Sequence, residues 1–160
     1  MVRKDCSIEQ IVNLKSCTLA FPAPKAFAAS ILSQLKLKVL SVKFKLKYVS
    51  SHNSVYRALA EDLYPTGGSA IRTFESFAPE IRDQLSVLWA NRGYTPYEIT
   101  VHPRVSKKLA HSLQQAFVKI HQQSESAALL KDIKINEFEM AQDSNWDDVR
   151  DLELKKLSNI

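Results

Sequence analysis

Histidine is the side chain whose charge changes near neutral pH, and its ring both donates and accepts hydrogen bonds. This chain has His52, His102, His111 and His121. Of these, His52 sits among other hydrogen-bonding groups, in the polar turn Ser50-Ser-His-Asn-Ser54. An imidazole N–H and the Ser51 hydroxyl, at the start of a helix whose first backbone N–H groups lack helical partners, can all donate to the oxygens of an anion. On residue type alone, a histidine in a polar turn is more often a solvated or locally bonded side chain. His102 precedes Pro103 at an expected strand end, His111 lies on a long helix, and His121 ends that helix, where a cation suits the dipole. All three read as structural or exposed. Asp147 and Asp148 fall in the first turn of an expected helix, where the dipole accounts for them without catalysis.

Other chemistries lack their residues. Cys6 and Cys17 make no disulfide framework, and no His or Cys falls at zinc-motif spacing. There is no glycine-rich phosphate loop, nucleophile elbow or paired acid–base constellation. The expectation is a protein that is not an enzyme and needs no cofactor or metal.

The elements that must position His52 follow from periodicity. Cys17–Phe21 reads as a strand ended by Pro22 and Pro24, and Lys25–Leu37 as a helix carrying Phe27, Ile31, Leu32 and Leu35 on one face. Val42–Val49 reads as a second strand, followed by the Ser50–Ser54 turn and a helix with Val55, Leu59 and Leu63. Strand, turn and helix thus come twice. Ser69–Phe74 is expected as a short strand, Pro79 as the first residue of a short helix, Leu85–Trp89 as a buried strand with Trp89 in the core, and Tyr97–Val101 as an alternating strand. Ser106–His121 is the clearest helix, with Ser106 as its cap and Leu109, Leu113, Ala116, Phe117 and Ile120 as an apolar stripe. Further helices are expected at Ser124–Leu130 and from Ser144 onward, and Tyr94, Tyr97 and Trp146 suit the lining of a cleft or, more often for such residues, loop closure and helix capping. Alternating units imply an α/β fold with a largely parallel sheet flanked by helices. Ligands of such sheets bind at the carboxyl ends of the strands, which singles out the turns Pro22–Phe27 and Ser50–Ser54.

With 160 residues, 45% of them hydrophobic, and a mean hydropathy of -0.20, the chain can build a globular core, and no apolar run reaches membrane-spanning length. Its net charge of +5 splits into +8 over residues 1–60, where 10 Lys/Arg face Asp5 and Glu9, and -3 over residues 61–160, where 12 face 15 acidic residues. Part of the basic excess is Lys43, Lys45 and Lys47, which alternate with Val42, Phe44, Leu46 and Tyr48. That is the pattern of lysines defending a strand edge, and without arginines or aromatics on the same face it does not suit nucleic acid.

A longer pattern carries a resemblance. Leu-Lys-Ser-Cys-Thr-Leu-Ala-Phe-Pro-Ala-Pro (14–24), Ala26-Phe-Ala-Ala-Ser-Ile-Leu32, Ser51-His-Asn-Ser-Val-Tyr-Arg-Ala58, Gly67-Gly-Ser-Ala-Ile-Arg-Thr-Phe74, Pro79-Glu-Ile-Arg82, Leu88-Trp89, Gly93-Tyr-Thr-Pro96, His102-Pro-Arg-Val105 and Asp143-Ser-Asn-Trp-Asp-Asp-Val-Arg150 follow one another in the order and spacing of a known family. In these the chain resembles the phosphate/phosphite/phosphonate substrate-binding proteins of ABC transporters, which have the two-lobed type II periplasmic-binding fold.

The resemblance implies that this is the C-terminal half. It divides the chain into an N-terminal segment (1–13), a second lobe (14–98), and a crossover strand with C-terminal helices (99–160) that pack on the first lobe in a complete member. It implies a small oxyanion as ligand, captured non-covalently between lobes, ABC permease subunits as partners, and a periplasmic or extracytoplasmic location. The chain as written carries no signal peptide and would stay cytoplasmic. Unpartnered C-terminal helices are expected to self-associate or repack. An alternative use of the fold is an extracytoplasmic sensor or interaction lobe, and a third possibility is a non-functional fragment.

By residue, the resemblance makes His52, with Ser51 beside it, the ligand histidine. The family's hydroxyl-rich helix start is here Lys25-Ala26-Phe27-Ala28, which leaves backbone N–H groups and the Lys25 charge; Lys25 also fits a solvated first-turn residue. Where many members have a carboxylate for amine groups, this chain has Gly67–Arg72, and Arg72 offers a fork suited to a fully ionised ligand or an ion pair with Glu75 or Glu80. The expected binding residues are Ser51, His52, Lys25 and Arg72.

Overall fold

The computed structural model describes residues 1–157 and divides into two units, Met1–Gly93 with the segment from Glu153 on, and Tyr94–Leu152. In the first unit, β2 (Thr18–Phe21) is the middle strand of a three-stranded sheet, with β3 (Lys45–Tyr48) on one side and β4 (Thr66–Gly67) on the other. Both pairings are parallel, with Phe21 opposite Tyr48 and Ala20 opposite Gly67. A second, antiparallel pair joins β1 (Val2–Arg3) to β5 (Leu85–Ser86).

The alternation of side chains along β2 divides the core. Leu19 and Phe21 pack on one face with Leu14, Val42 and Leu37 of α1 (Leu32–Val39). Ala20 faces the other way, against Val55, Tyr56 and Leu59 of α2 (His52–Ala60) and against Phe74 and Leu85. A strand covered on both faces must be apolar throughout, and Leu-Ala-Phe (19–21) is. The Tyr56 ring is fully buried and lies 4.8 Å from that of Phe77 and 5.6 Å from that of Phe74, both tilted.

β3 is an edge strand, shorter than the expected Val42–Val49; Lys45 and Lys47 on it and Lys43 just before it are exposed, in keeping with the edge-defence pattern. The helix expected at Lys25 begins two residues later, as a π-helical turn over Phe27–Ile31 that runs into α1. Proline 79 opens α4 (Pro79–Arg82) as expected. α2 ends sooner than its pattern suggested: Asp62 turns left-handed at φ 58°, and Leu63 is exposed. Left-handed backbone also occurs at Ser16, Ser41, Ser50 and Lys134, whereas no glycine has positive φ.

Three expected strands are corrected. Ser69–Phe74 holds a turn and α3 (Ile71–Glu75), because the third parallel strand comes earlier, at Thr66–Gly67. There the Gly68 N–H donates to the Ala20 carbonyl (3.0 Å), and a Cβ at Gly67 would lie 2.7 Å from that same oxygen and 2.6 Å from Val55 Cγ1. Only glycine lets the backbone come so close to β2 and α2. Leu85–Trp89 keeps only Leu85–Ser86 as strand; Trp89 is half-buried, with Lys36 Nζ 5.9 Å from its ring centroid. Tyr97–Val101 forms no strand, and Tyr97, Ile99 and Val101 are exposed, because alternation without a neighbouring strand supplies no ladder hydrogen bonds.

The second unit is helical: α5 (Lys107–Lys119), α6 (Ser124–Asp132) and α7 (Asp147–Arg150). Ser106 caps α5 by accepting from the Leu109 N–H (3.3 Å). Along its stripe Phe117 packs edge-on against Phe138, while Leu109 and Leu113 are exposed. The Thr95 N–H donates to Asp148 Oδ2 (3.0 Å) and Trp146 Nε1 to the Pro96 carbonyl (2.9 Å), which fastens residues 94–96 to the start of α7. Asp148 is therefore tied to backbone as well as placed at a helix start. His102 Nδ1 accepts from the Arg104 N–H, a local contact, and His121 Nε2 lies 3.9 Å from the Glu137 carboxylate.

Candidate functional site

Because β2, β3 and β4 are parallel, the turns that follow them, beginning at Pro22, Val49 and Gly68, leave the sheet at the same edge. The Val49 N–H extends the ladder by one bond to the Phe21 carbonyl (2.9 Å). Ser50 then turns left-handed at φ 74°, which sends the chain directly into α2. Ser51 is the N-cap: extended at φ -151°, its Oγ accepts from the Ser54 N–H at 3.0 Å and lies 2.8 Å from Ser54 Oγ. His52 is the first residue of the helix, half-buried.

The His52 Nδ1 lies 2.9 Å from Ser69 Oγ, and Ser69 Oγ is also hydrogen-bonded to the Tyr56 hydroxyl. This joins the turn after β3 to the turn after β4, although the two strands flank β2 rather than each other. The positions 52 and 56 are one helical turn apart, so both side chains meet the same serine. Partial burial, which penalises the charged ring, holds the His52 imidazole below the usual histidine range. Burial pushes the Tyr56 phenol up, with its Ser69 hydrogen bond opposing. The imidazole and the capped start of the nine-residue α2 supply N–H donors, while the Ser69 and Tyr56 hydroxyls are engaged with each other and with the His52 ring.

Lys25 is exposed in the turn after β2, and Arg72 is exposed in the first turn of α3, after β4. Lys25 thus follows β2 and Arg72 follows β4 at the same end of the sheet as Ser51 and His52, while the side-chain hydrogen bond of His52 among the described residues goes to Ser69. In the β2 turn a further serine has a role: Ser30, fully buried, donates from Oγ to the Ala23 carbonyl (2.6 Å) and fixes the Pro22–Pro24 segment against the helix it precedes.

Residues 1–146 match the family model described as the periplasmic substrate-binding protein of a phosphonate ABC transporter. The chain belongs to this phosphonate-binding family. Its members are substrate-binding transport proteins and not enzymes, in line with the absence of acid–base or nucleophilic constellations in the sequence. Solved structures agree on the fold, the type II periplasmic-binding α/β architecture. PhnD1 from Prochlorococcus marinus, solved in complex with methylphosphonate, superposes with a TM-score of 0.78 at 16% identity, over 99% of this chain and 65% of that one. A binding-protein component of an ABC phosphonate transporter from Pseudomonas aeruginosa gives 0.70 at 20% identity, over 98% of this chain and 56% of that one. The chain thus spans between half and two thirds of the length of these structures. Curated protein sequences give no significant match.

The contacts of Ser69 with His52 and Tyr56 have no local signature in the sequence. Tyr56 lies in the helix whose expected apolar face is Val55, Leu59 and Leu63, without a role of its own there, and Ser69 in an expected strand. The available signal was the spacing: Tyr56 one helical turn after His52, and a serine following two glycines.

Proposed function

We propose that this chain supplies one wall of an oxyanion site, as part of the substrate-binding component of an ABC importer for phosphonate-type ligands. On this reading residues 14–98 form the second lobe, residues 1–13 precede it, and residues 99–160 belong to the crossover and C-terminal helices. The observation that carries the reading is the His52–Ser69 hydrogen bond at the carboxyl end of a parallel sheet, beside the Ser51-capped start of α2. His52 and the first backbone N–H groups of α2 donate to the ligand oxygens, with Ser51 holding the turn. Lys25 and Arg72, on neighbouring turns, contribute charge, and Arg72 favours a fully ionised or carboxylate-bearing ligand. Capture is non-covalent, and ABC permease subunits take up the cargo.

The methylphosphonate bound by the Prochlorococcus protein is the natural probe. Because this chain spans 65% of that protein, its own affinity should be weak, in the millimolar range where a few hydrogen bonds suffice (~4 kcal/mol at 1 mM). An NMR chemical-shift titration should move the backbone amides of Ser51–Ser54 and the His52 ring, and His52→Ala should remove the response. Unchanged saturation in the variant would take His52 out of the site.

A further inference from the structure

We propose that Tyr56 and Ser69 are positioning residues for His52: a directed chain, Tyr56 O–H to Ser69 Oγ and Ser69 O–H to His52 Nδ1, holds the imidazole in its Nε2–H form. Tyr56, Ser69 and neutral His52 each have one side-chain proton to donate, and two contacts, Tyr56–Ser69 and Ser69–His52, to share them. Run from tyrosine to histidine, both contacts receive a proton, and the histidine's own proton is left on Nε2. Run from histidine to tyrosine, Nδ1–H donates to Ser69 and Ser69 to Tyr56, which leaves the phenol proton to seek another acceptor. The one within reach is the Ala70 carbonyl at 3.5 Å, beyond the ~2.5–3.0 Å of a normal O–H···O bond. Tyr56 is fully buried, so a poorly satisfied phenol donor there is costly. A Ser69 that accepted from both neighbours would leave the proton of its own half-buried hydroxyl with no protein acceptor among the described residues, whereas the first order leaves over only Nε2–H, on a half-exposed residue, and that order wins.

Among the described residues, His52 is bonded to protein through Nδ1 alone, and its ring is half-exposed at the sheet edge. Nε2–H is therefore the donor on offer. A neutral N–H fixed in one tautomer selects oxygen acceptors that carry no proton of their own, as in a fully ionised phosphonate, and this use of the chain rests on the function proposed above. The tautomer itself does not.

The test is long-range 1H–15N correlation NMR of the 15N-histidine-labelled chain without ligand, at a pH where His52 is neutral. The wild type should show Nε2 as the protonated, pyrrole-type nitrogen and Nδ1 as the pyridine-type one. Ser69→Ala should lose this single-tautomer signature and give the mixed shifts of an unconstrained imidazole, Ser69→Thr should restore it, and Tyr56→Phe, which keeps the ring packing against Phe74 and Phe77, should weaken it. A wild-type ring protonated on Nδ1, or a signature equally pure in Ser69→Ala, overturns the proposal. Should Ser69→Ala not fold, Tyr56→Phe decides the matter alone, an unaltered signature counting against. Because no ligand is added, a failed methylphosphonate titration leaves this result standing, and the reverse holds too.

Discussion

Replacing Gly68 with alanine should destabilise the chain by an amount set by two identifiable neighbours. A Cβ at this position would lie 2.0 Å from the Ala29 carbonyl oxygen and 2.5 and 2.6 Å from Phe21 Cε1 and Cδ1. Non-bonded carbon atoms settle at ~3.5–4.0 Å. Ala29 belongs to the π-helical turn and Phe21 is 1% exposed, so neither neighbour can swing into solvent. Overpacking that a core absorbs costs ~1–3 kcal/mol, and a clash with backbone belongs at the top of that range or above. Against this, exchanging glycine for alanine restricts the unfolded chain and returns ~0.4–1 kcal/mol. The net loss is about 2–3 kcal/mol, a large part of the ~5–15 kcal/mol that holds a domain together. Gly93 is the control: a Cβ there meets nothing within 4 Å, so Gly93→Ala should leave stability unchanged or raise it slightly. Urea unfolding followed by circular dichroism reads both. With a urea dependence of ~1–3 kcal/mol/M, the Gly68→Ala midpoint should fall by roughly 1 M or more. A Gly68→Ala midpoint indistinguishable from that of Gly93→Ala would refute the close approach of β4 to the π turn.

Two further outcomes follow from the same sheet edge. Ser51→Ala removes the cap that accepts from the Ser54 N–H and should lower stability by ~0.5–2 kcal/mol in urea unfolding, whereas Ser51→Asp keeps an acceptor and should lose little. Since partial burial holds the folded His52 pKa below its unfolded value, the unfolded chain takes up a proton first as pH falls. Its contribution is therefore fully present above the unfolded pKa of ~6.5, is lost progressively below it, and levels off once the folded ring is also protonated. Stability measured by urea unfolding across that window should fall less steeply with decreasing pH in His52→Asn than in wild type; parallel profiles would remove His52 as a source of the pH dependence.

How much was readable in advance depended on whether a feature was local. β2 announced itself through Leu19-Ala-Phe21 and the prolines after it, the start of α4 through Pro79, and the cap of α5 through Ser106, because each signal lies within a few residues of its effect. The lysine-lined edge was likewise legible, since alternation along β3 needs no partner to be seen. β4 was not: two residues are too few to show a period, and what makes Thr66–Gly67 a strand is room beside Ala20, some 46 positions earlier. Tyr97–Val101 failed the opposite way, with a clear period and no neighbouring strand. At the site, Ser51 and His52 stood out because turn and helix start are local chemistry. Ser69 did not, because its role depends on a histidine 17 positions before it, reached across the end of a strand that neither adjoins in sequence.

The left-handed turns have a consequence for how this sequence can drift. Ser16, Ser41, Ser50, Asp62 and Lys134 hold a conformation that L-residues adopt at a cost of roughly 1 kcal/mol or more, and each could become glycine with that strain relieved. Gly67 and Gly68 have ordinary negative-φ backbone, yet neither can become anything larger, because the space a side chain needs is filled by β2, α2 and the π turn. Substitution can thus run freely into glycine at the turns but not out of it at the sheet edge, so among diverging relatives that keep this packing the pair before Ser69 should persist while the turn residues vary.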